Sequence, residues 1–264
     1  MEDLLAAHGT RQLCEWAAYE GRLDVMQWAR RQGCPWTDWV CRCAALRGHL
    51  HILVWVREEG CPWGKLTCAG AASNGHLQVL QWLHQQGCPW DEHTCYEAAA
   101  RGHLEILQWA HQHGCPWDSR TCEYAARGGH MEVLQWAHHN GCPWDRMTTM
   151  LAAAFGHLEI LQWARLNGCP WDRWTLMAAI GEGRVDMVKW ALDHDCPCDQ
   201  VLPLFVERGR YYAVVQVLDQ RYGASQDERA PPLPPFYREW LQDVDQSLAS
   251  VLLPDTASIV KLYI

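Results

Sequence analysis

The chain has 264 residues, of which 49% are hydrophobic and 20% are charged, a composition typical of a folded protein with a large core. Its formal charge of −9 argues against a nucleic-acid or anionic-membrane binder, which would carry a basic stripe. No apolar run approaches the roughly 20 residues of a membrane helix. The first residues do not resemble a secretory signal, so we expect the 14 cysteines to be reduced and the protein to be cytoplasmic.

A 27-residue repeat dominates the chain. Its clearest mark is the motif GCPW, whose cysteines are Cys34, Cys61, Cys88, Cys115, Cys142 and Cys169. A degenerate copy places Cys196 in the same series. We identify seven clear units and a degenerate eighth within residues 1–224, and residues 225–264 lack the repeat.

Each unit begins with a predicted helix that has small residues on one face. In the fifth unit Cys122, Ala125 and Ala126 follow the spacing i, i+3, i+4, which lets a neighbouring helix approach closely. Glycine, as in Gly129, then ends the helix. An aspartate occupies the predicted N-cap position in five units: Asp91, Asp118, Asp145, Asp172 and Asp199.

The second predicted helix of a unit carries a wide apolar stripe, which in the fourth unit comprises Leu104, Ile106, Leu107, Trp109 and Ala110. No stretch alternates with period two, so we expect no sheet. A single helix pair cannot bury its own stripe, whereas stacked pairs bury it between neighbours. The sequence therefore predicts an all-α solenoid of stacked helix-turn-helix repeats.

The run AAxxGHLEILQWAxxxG resembles the helical part of the ankyrin repeat, AAxxGHLEVVKLLLxxGAD, in all seven clear units. The ankyrin unit has 33 residues, and the six that are missing here fall where ankyrin proteins carry a β-hairpin finger. The family's TPLH motif is also absent. The resemblance implies an ankyrin-like array that lacks β-hairpin fingers. The CPWD variant is similar to arrays of giant DNA viruses of amoebae and of some protists, and a viral origin would imply the host cytoplasm.

Cysteines and histidines recur with the repeat and allow two interpretations. The first helices carry Cys14, Cys41, Cys68, Cys95 and Cys122, and the GH motifs carry His49, His76, His103, His130 and His157. A metal- or redox-responsive Cys–His array is one hypothesis. Structural zinc prefers Cys pairs two to four residues apart, and the closest pairs, Cys41/Cys43 and Cys196/Cys198, are spaced too tightly. We favour buried thiols and histidines that hydrogen-bond at the inter-helix turn, with no metal and no cofactor.

Two tryptophan series repeat as well. Those of the second helix are Trp28, Trp55, Trp82, Trp109, Trp136, Trp163 and Trp190; those of CPW are Trp36, Trp63, Trp90, Trp117, Trp144 and Trp171. A stacking ladder for bases or glycans is one interpretation. Strict repetition instead favours structural positions, with one Trp of each unit in the core and the other closing the gap left by the missing hairpin. Asp24, Glu105, Glu132, Glu159 and Asp186 are predicted to form a solvated acidic ridge on the second helices. We expect the histidines at the polar end of the second helices to face solvent: His84, His111, His113, His138 and His139.

We expect no enzymatic activity and no catalytic residue, because nucleotide-binding loops, GxSxG and HExxH are absent. The first-helix positions opposite the small-residue face vary between units, as in repeat proteins that bind partners. They are rich in Tyr, Trp, Phe and Arg, which are residue types favoured at the hot spots of protein–protein interfaces. The predicted partner-binding residues, on a concave face, are Trp16, Tyr19, Arg47, Asn74, Glu97, Arg101, Tyr124, Arg127, Leu151 and Phe155. We expect a monomer that binds another protein, neither nucleic acid nor membrane.

Residues 225–264 differ from the array. They begin with a proline-rich linker and continue with a predicted helix over residues 236–253. A cap that covers the last apolar stripe is the favoured interpretation. Two alternatives are a polyproline ligand for SH3- or WW-like domains and the tail of a substrate-recognition adaptor of a ubiquitin ligase.

Overall fold

The computed structural model describes residues 12–197. These residues contain helices and no strand, which confirms the all-α class. The first helices of the units are α1 (residues 12–19), α3 (Asp38–Leu46), α5 (Lys65–Ser73), α7 (Glu92–Ala100), α9 (Ser119–Gly128), α11 (Arg146–Phe155) and α13 (Arg173–Gly181). The second helices are α2 (Leu23–Arg31), α4 (Leu50–Glu58), α6 (Leu77–Gln85), α8 (Leu104–Gln112), α10 (Met131–His139), α12 (Leu158–Leu166) and α14 (Val185–Asp193).

The helix limits follow the capping residues. Asp91, Asp118, Asp145 and Asp172 each accept a hydrogen bond from the backbone N–H two residues later, at 2.8–3.1 Å, as predicted for N-caps. No helix within residues 12–197 is long and apolar enough to span a membrane. Several predictions lie outside the described residues: the cap at Asp199, the domain boundary at 224/225, the proline-rich linker and the C-terminal helix.

The two helices of each unit contribute to separate layers. Successive first helices pack directly on one another, and Cys122, Ala125 and Ala126 on the packed face of α9 are fully buried. Each second helix packs on the first helix of its own unit, and successive second helices make fewer close contacts. The first helices therefore lie on the more closely spaced side of the stack. The turn between α8 and α9 contains no strand, which confirms an ankyrin-like solenoid without fingers.

Glycine and histidine connect one unit to the next. Gly102 has φ 76°, and a Cβ there would come within 2.6 Å of the His130 Nδ1 atom, so only glycine fits. The His130 ring donates through Nε2 to the carbonyl of Ala100 at 3.1 Å. The same bond is made to the preceding unit by His49, His76, His103 and His157. The predicted structural role of the GH histidines is confirmed.

Candidate functional site

The candidate site is the side of the first helices that faces away from the second helices, called here the first-helix face. Among the predicted binding residues, Tyr19, Arg47, Asn74 and Arg101 are exposed. Trp16, Glu97, Tyr124, Arg127 and Phe155 are half-buried.

The prediction that Leu151 is exposed is wrong, because its side chain is only 1% exposed. Its position lies at the border between the first-helix face and the core. Cys43 at the same position of α3 is also buried, whereas Glu97 and Tyr124 at the same position of α7 and α9 keep part of their surface in water. An apolar side chain at this border turns inward because burial removes it from water, and a polar or amphipathic one extends outward.

Arg127 connects two units on this face. Its guanidinium lies 5.7 Å from the ring centre of Tyr124 and 5.0 Å from that of Phe155, which are cation–π distances. At the N-terminal end, Arg47 lies 4.8 Å from the ring centre of Tyr19. The structure thus brings together predicted residues from neighbouring units. Asn74 also has a packing role, because its amide donates to the carbonyl of Leu46 at 2.9 Å.

Sequence reasoning missed a row of residues near the start of the first helices. Trp39 is 43% exposed and Leu66 is 39% exposed, and the equivalent positions hold His93, Arg120, Met147 and Trp174. The signal was present in the helical spacing, because Arg120, Tyr124 and Arg127 follow i, i+4, i+7 and share one side of α9. This row extends the first-helix face toward the CPWD turns.

Tyr96 is another residue that the sequence analysis did not select. Its ring stacks on that of Tyr124 at 4.9 Å, and the Arg120 guanidinium lies 5.1 Å from its centre. Burial raises the pKa of Tyr96 to about 12, so its hydroxyl stays protonated at neutral pH. The aromatic contacts on the face therefore continue from α7 through α9 to α11.

Two carboxyl groups on the face are partly withdrawn from water. Burial raises the pKa of Glu97, and the nearby Arg101 and Arg42 act in the opposite direction. Burial also raises the pKa of Glu123, which accepts a hydrogen bond from the Ser119 hydroxyl at 2.7 Å. Their negative charge is therefore disfavoured relative to that of exposed carboxylates.

A family model described as ankyrin repeats (many copies) matches residues 70–111 and 95–138. The array is ankyrin-like. The matched residues include α7, α8 and α9, which carry the centre of the first-helix face. No curated protein matches the chain.

The ankyrin-like array carries a tryptophan ladder on its second-helix side. The prediction that the second-helix tryptophans lie in the core is wrong, because all of them are half-buried. Both Trp117 and Trp136 are half-buried, and their rings make an edge-to-face contact with centres 5.8 Å apart. The His111 ring stacks on Trp117 at 3.8 Å. Each of the six CPW tryptophans is covered by a stacked imidazole or by a guanidinium. The covering residues, in chain order, are Arg30, Arg57, His84, His111, His138 and Arg165. In the absence of a finger, the indoles are covered by each other and by these side chains.

The ladder corrects the expectation of solvent exposure for His84, His111 and His138, which are half-buried against indole rings. His113 and His139 are exposed as expected. Burial lowers the pKa of His138. In contrast, the predicted acidic ridge is exposed at all five positions: Asp24, Glu105, Glu132, Glu159 and Asp186.

All thirteen cysteines in the described residues are free and buried. The two cysteine series meet inside five units, a contact that sequence reasoning missed. In the fourth unit the Cys115 thiol donates to the Asp91 carbonyl at 3.3 Å and lies against Cys95. The contact between the two thiols and burial together strongly raise the pKa of Cys115. Such thiols are poor nucleophiles and poor metal ligands in their protonated form.

Within residues 12–197, the group of three potential metal ligands that lie together is Asp91, Glu92 and His93, and it contains no cysteine. Asp91 in this group already caps α7 and forms an ion pair with Lys65 at 3.1 Å. The GH histidines use Nε2 to bind backbone carbonyls. The geometry of the described residues therefore favours structural roles for the cysteines and histidines over the metal or redox alternative.

Proposed function

We propose that the chain is a non-enzymatic scaffold that binds another protein through the first-helix face. Ankyrin repeats are in general protein–protein interaction modules. One observation carries the assignment of the face. Of the four large apolar side chains that are exposed in the described residues, Tyr19, Trp39 and Leu66 lie on first helices, and Leu166 lies on a second helix.

The composition and rigidity of the face support the same proposal. Tyr, Trp and Arg are the residue types enriched at binding hot spots. Arg127 is already held between Tyr124 and Phe155, so its ordering on binding costs less conformational entropy than that of a free side chain. The helices that carry these residues are held by the buried Cys and Ala layer.

We propose further that the protein acts as a monomer in the cytoplasm. The buried free thiols support a reducing compartment, since disulfides form and persist mainly in oxidising ones. Ultracentrifugation of the purified chain and imaging of a tagged copy in cells test these two points.

The test of the binding face compares two triple variants in affinity purification from cells. One changes the first-helix face: Arg101→Ala, Tyr124→Ala and Arg127→Ala. The control changes the acidic ridge: Glu105→Gln, Glu132→Gln and Glu159→Gln, all exposed. Circular dichroism and chemical unfolding first establish that both variants fold.

We expect proteins that are recovered with the unmodified chain and the ridge variant to be lost with the first-helix variant, because truncated hot spots weaken binding by about 2 kcal/mol or more each. If the ridge variant loses the partner and the first-helix variant keeps it, the binding face is on the other side of the array. A hydrolytic or transfer activity of the purified chain would contradict the non-enzymatic assignment.

A further inference from the structure

The contact between the first two units, called here the first joint, is made by His49 together with Arg47 and Tyr19. His49 donates through Nε2 to the carbonyl of Tyr19 at 3.1 Å, and its ring lies against Gly21. The Arg47 guanidinium lies 4.8 Å from the ring centre of Tyr19. The backbone bond of His49 and the side-chain contact of Arg47 thus meet at the same residue of the first unit.

The residue two positions after His49 departs from the repeat. The equivalent position is a carboxylate in five other units and an amide in the third: Asp24, Gln78, Glu105, Glu132, Glu159 and Asp186. The second unit has His51 there, which is exposed and lies with its ring centre 5.8 Å from that of His49. A carboxylate at this position attracts a protonated imidazole, whereas His51 repels it when both rings are charged.

Basic groups surround His49. Arg47 precedes it on the same turn, His51 follows it on α4, and His76 acts on it from the next unit. Burial lowers the pKa of His49, the bond to the Tyr19 carbonyl opposes this shift, and the three basic groups add to it. The folded joint therefore favours the neutral form of His49.

The first unit does not supply a carboxylate that pairs with His49. On α2, Asp24 already pairs with Arg22 at 2.8 Å. Glu20, which follows α1, is exposed and makes no ion pair with His49. A proton on His49 therefore adds a charge beside Arg47 and His51 that no ion pair neutralises.

We propose that the first joint is an acid-sensitive switch. As the pH falls from about 7 to about 5, His49 and His51 become charged beside Arg47, and their repulsion weakens the hold of the second unit on the first. The first unit then opens locally, because each unit of a solenoid is held by its neighbours alone.

Opening of the joint also separates Arg47 from Tyr19, which is exposed on the first-helix face. Acid thereby removes one end of that face from the rest of the array. This consequence for a partner rests on the proposed function. The switch itself depends only on the contacts within the first joint.

Hydrogen exchange of the full chain, read by mass spectrometry at about pH 7.5 and about pH 5.5 and corrected for intrinsic rates, tests the switch. The test variant is His51→Glu, which restores the carboxylate of the other units. A second variant, His49→Gln, does not titrate at this position. The control is His139→Gln, an exposed histidine at the end of α10. Thermal unfolding establishes that each variant folds.

We expect the amides of α1 to exchange at least about fivefold faster at the lower pH, and those of α9 to change less than about twofold. In His51→Glu and in His49→Gln the acceleration of α1 should be less than about twofold, because the added repulsion is absent. The control variant should behave like the unmodified chain.

Acceleration of α1 that is as large in His51→Glu as in the unmodified chain would overturn the switch. So would exchange of α1 that is equal at both pH values, or an acceleration that α9 shares, since acid would then act on the whole array. These outcomes leave the proposed binding face untouched, because its test uses other variants at one pH.

Discussion

The two helix layers of the array achieve their packing in different ways. The first helices approach closely because their facing residues are Cys and Ala, all fully buried in α9. The second helices are further apart, and the paired indoles with their His or Arg covers fill the outer side. Small residues in one layer and large aromatic residues in the other thus both fill the space between successive units.

This difference shows which surface is free to vary. The second-helix side is fixed by the tryptophan ladder, because six indole pairs each join a CPW turn to the second helix of the next unit. The first-helix face contributes little to the close packing of Cys and Ala, so residues such as Trp39 and Arg101 can differ between units. Stability and recognition are therefore assigned to different sides of the same unit.

The largest loss of unfolding free energy is expected on a second helix, where an inner and an outer residue can be compared. Leu107 is fully buried and Trp109 is half-buried. Leu107→Ala should cost about 2–5 kcal/mol of unfolding free energy, and Trp109→Ala should cost less than the 3–5 kcal/mol of a fully buried tryptophan. Urea unfolding of both variants measures the two values. A larger loss for Trp109→Ala would mean that the ladder is the main core.

A pair of glycines isolates the contact between units. Gly102 and Gly114 both have positive φ, 76° and 80°, but a Cβ at Gly102 would meet the His130 ring, and one at Gly114 would meet nothing within 4 Å. Alanine at either position should lower the free energy of unfolding by about 1–2 kcal/mol, because the backbone is left-handed there. Gly102→Ala should lower it further, because the new Cβ would clash with the His130 ring. Thermal unfolding measures the difference, and equal losses would contradict the close contact between units.

A smaller effect is expected for the helix caps. Asp118 accepts a hydrogen bond from the backbone of Arg120, whereas Thr37 caps α3 without a side-chain hydrogen bond. Asp118→Ala should therefore cost about 1 kcal/mol, and Thr37→Ala should cost less. Chemical unfolding of the two variants tests this order, and the reverse order would contradict the capping geometry.

The smallest effect concerns pH. Burial lowers the pKa of His49 and of His103 below the ordinary value of 6.5, so the folded state favours their neutral forms. Their contribution to the free energy of unfolding is present above about pH 6.5. It is lost as the pH falls below that value, because the unfolded state then binds more protons than the folded state. A variant with both changed to Gln should lose less unfolding free energy between pH 7 and pH 5 than the unmodified chain. An identical pH dependence of the variant and the unmodified chain would contradict the lowered pKa values of His49 and His103.

The raised pKa values of Glu97 and Glu123 change the pH dependence of stability in the opposite direction, because the folded state then binds protons more readily than the unfolded state. Both carboxyl groups are present in the two proteins that are compared. The difference between the two pH profiles therefore reports the histidines alone.

The sequence predicted the repeated elements because each depends on a local cause. The aspartate caps, the glycine at the helix end and the small residues at i, i+3, i+4 specify the helices within a single unit. The role of the GH histidines also followed, since a residue that recurs in each turn is explained by the turn.

Features that depend on the distance between helices could not be predicted in this way. The burial of Leu151 depends on how far its border position lies from the neighbouring helix. The partial exposure of Trp109 depends on the wider spacing of the second helices. The contact between Cys95 and Cys115 joins residues twenty positions apart, and no local pattern indicates it.

Hydroxyl-radical footprinting of the chain with and without its captured partner tests the central claim most directly. Hydroxyl radicals modify exposed aromatic and large aliphatic side chains, so Tyr19 and Trp39 report on the first-helix face and Leu166 reports on the opposite side. We predict that the partner protects Tyr19 and Trp39 and leaves Leu166 as reactive as before. Protection of Leu166 with no change at Tyr19 and Trp39 would contradict the assignment of the binding face.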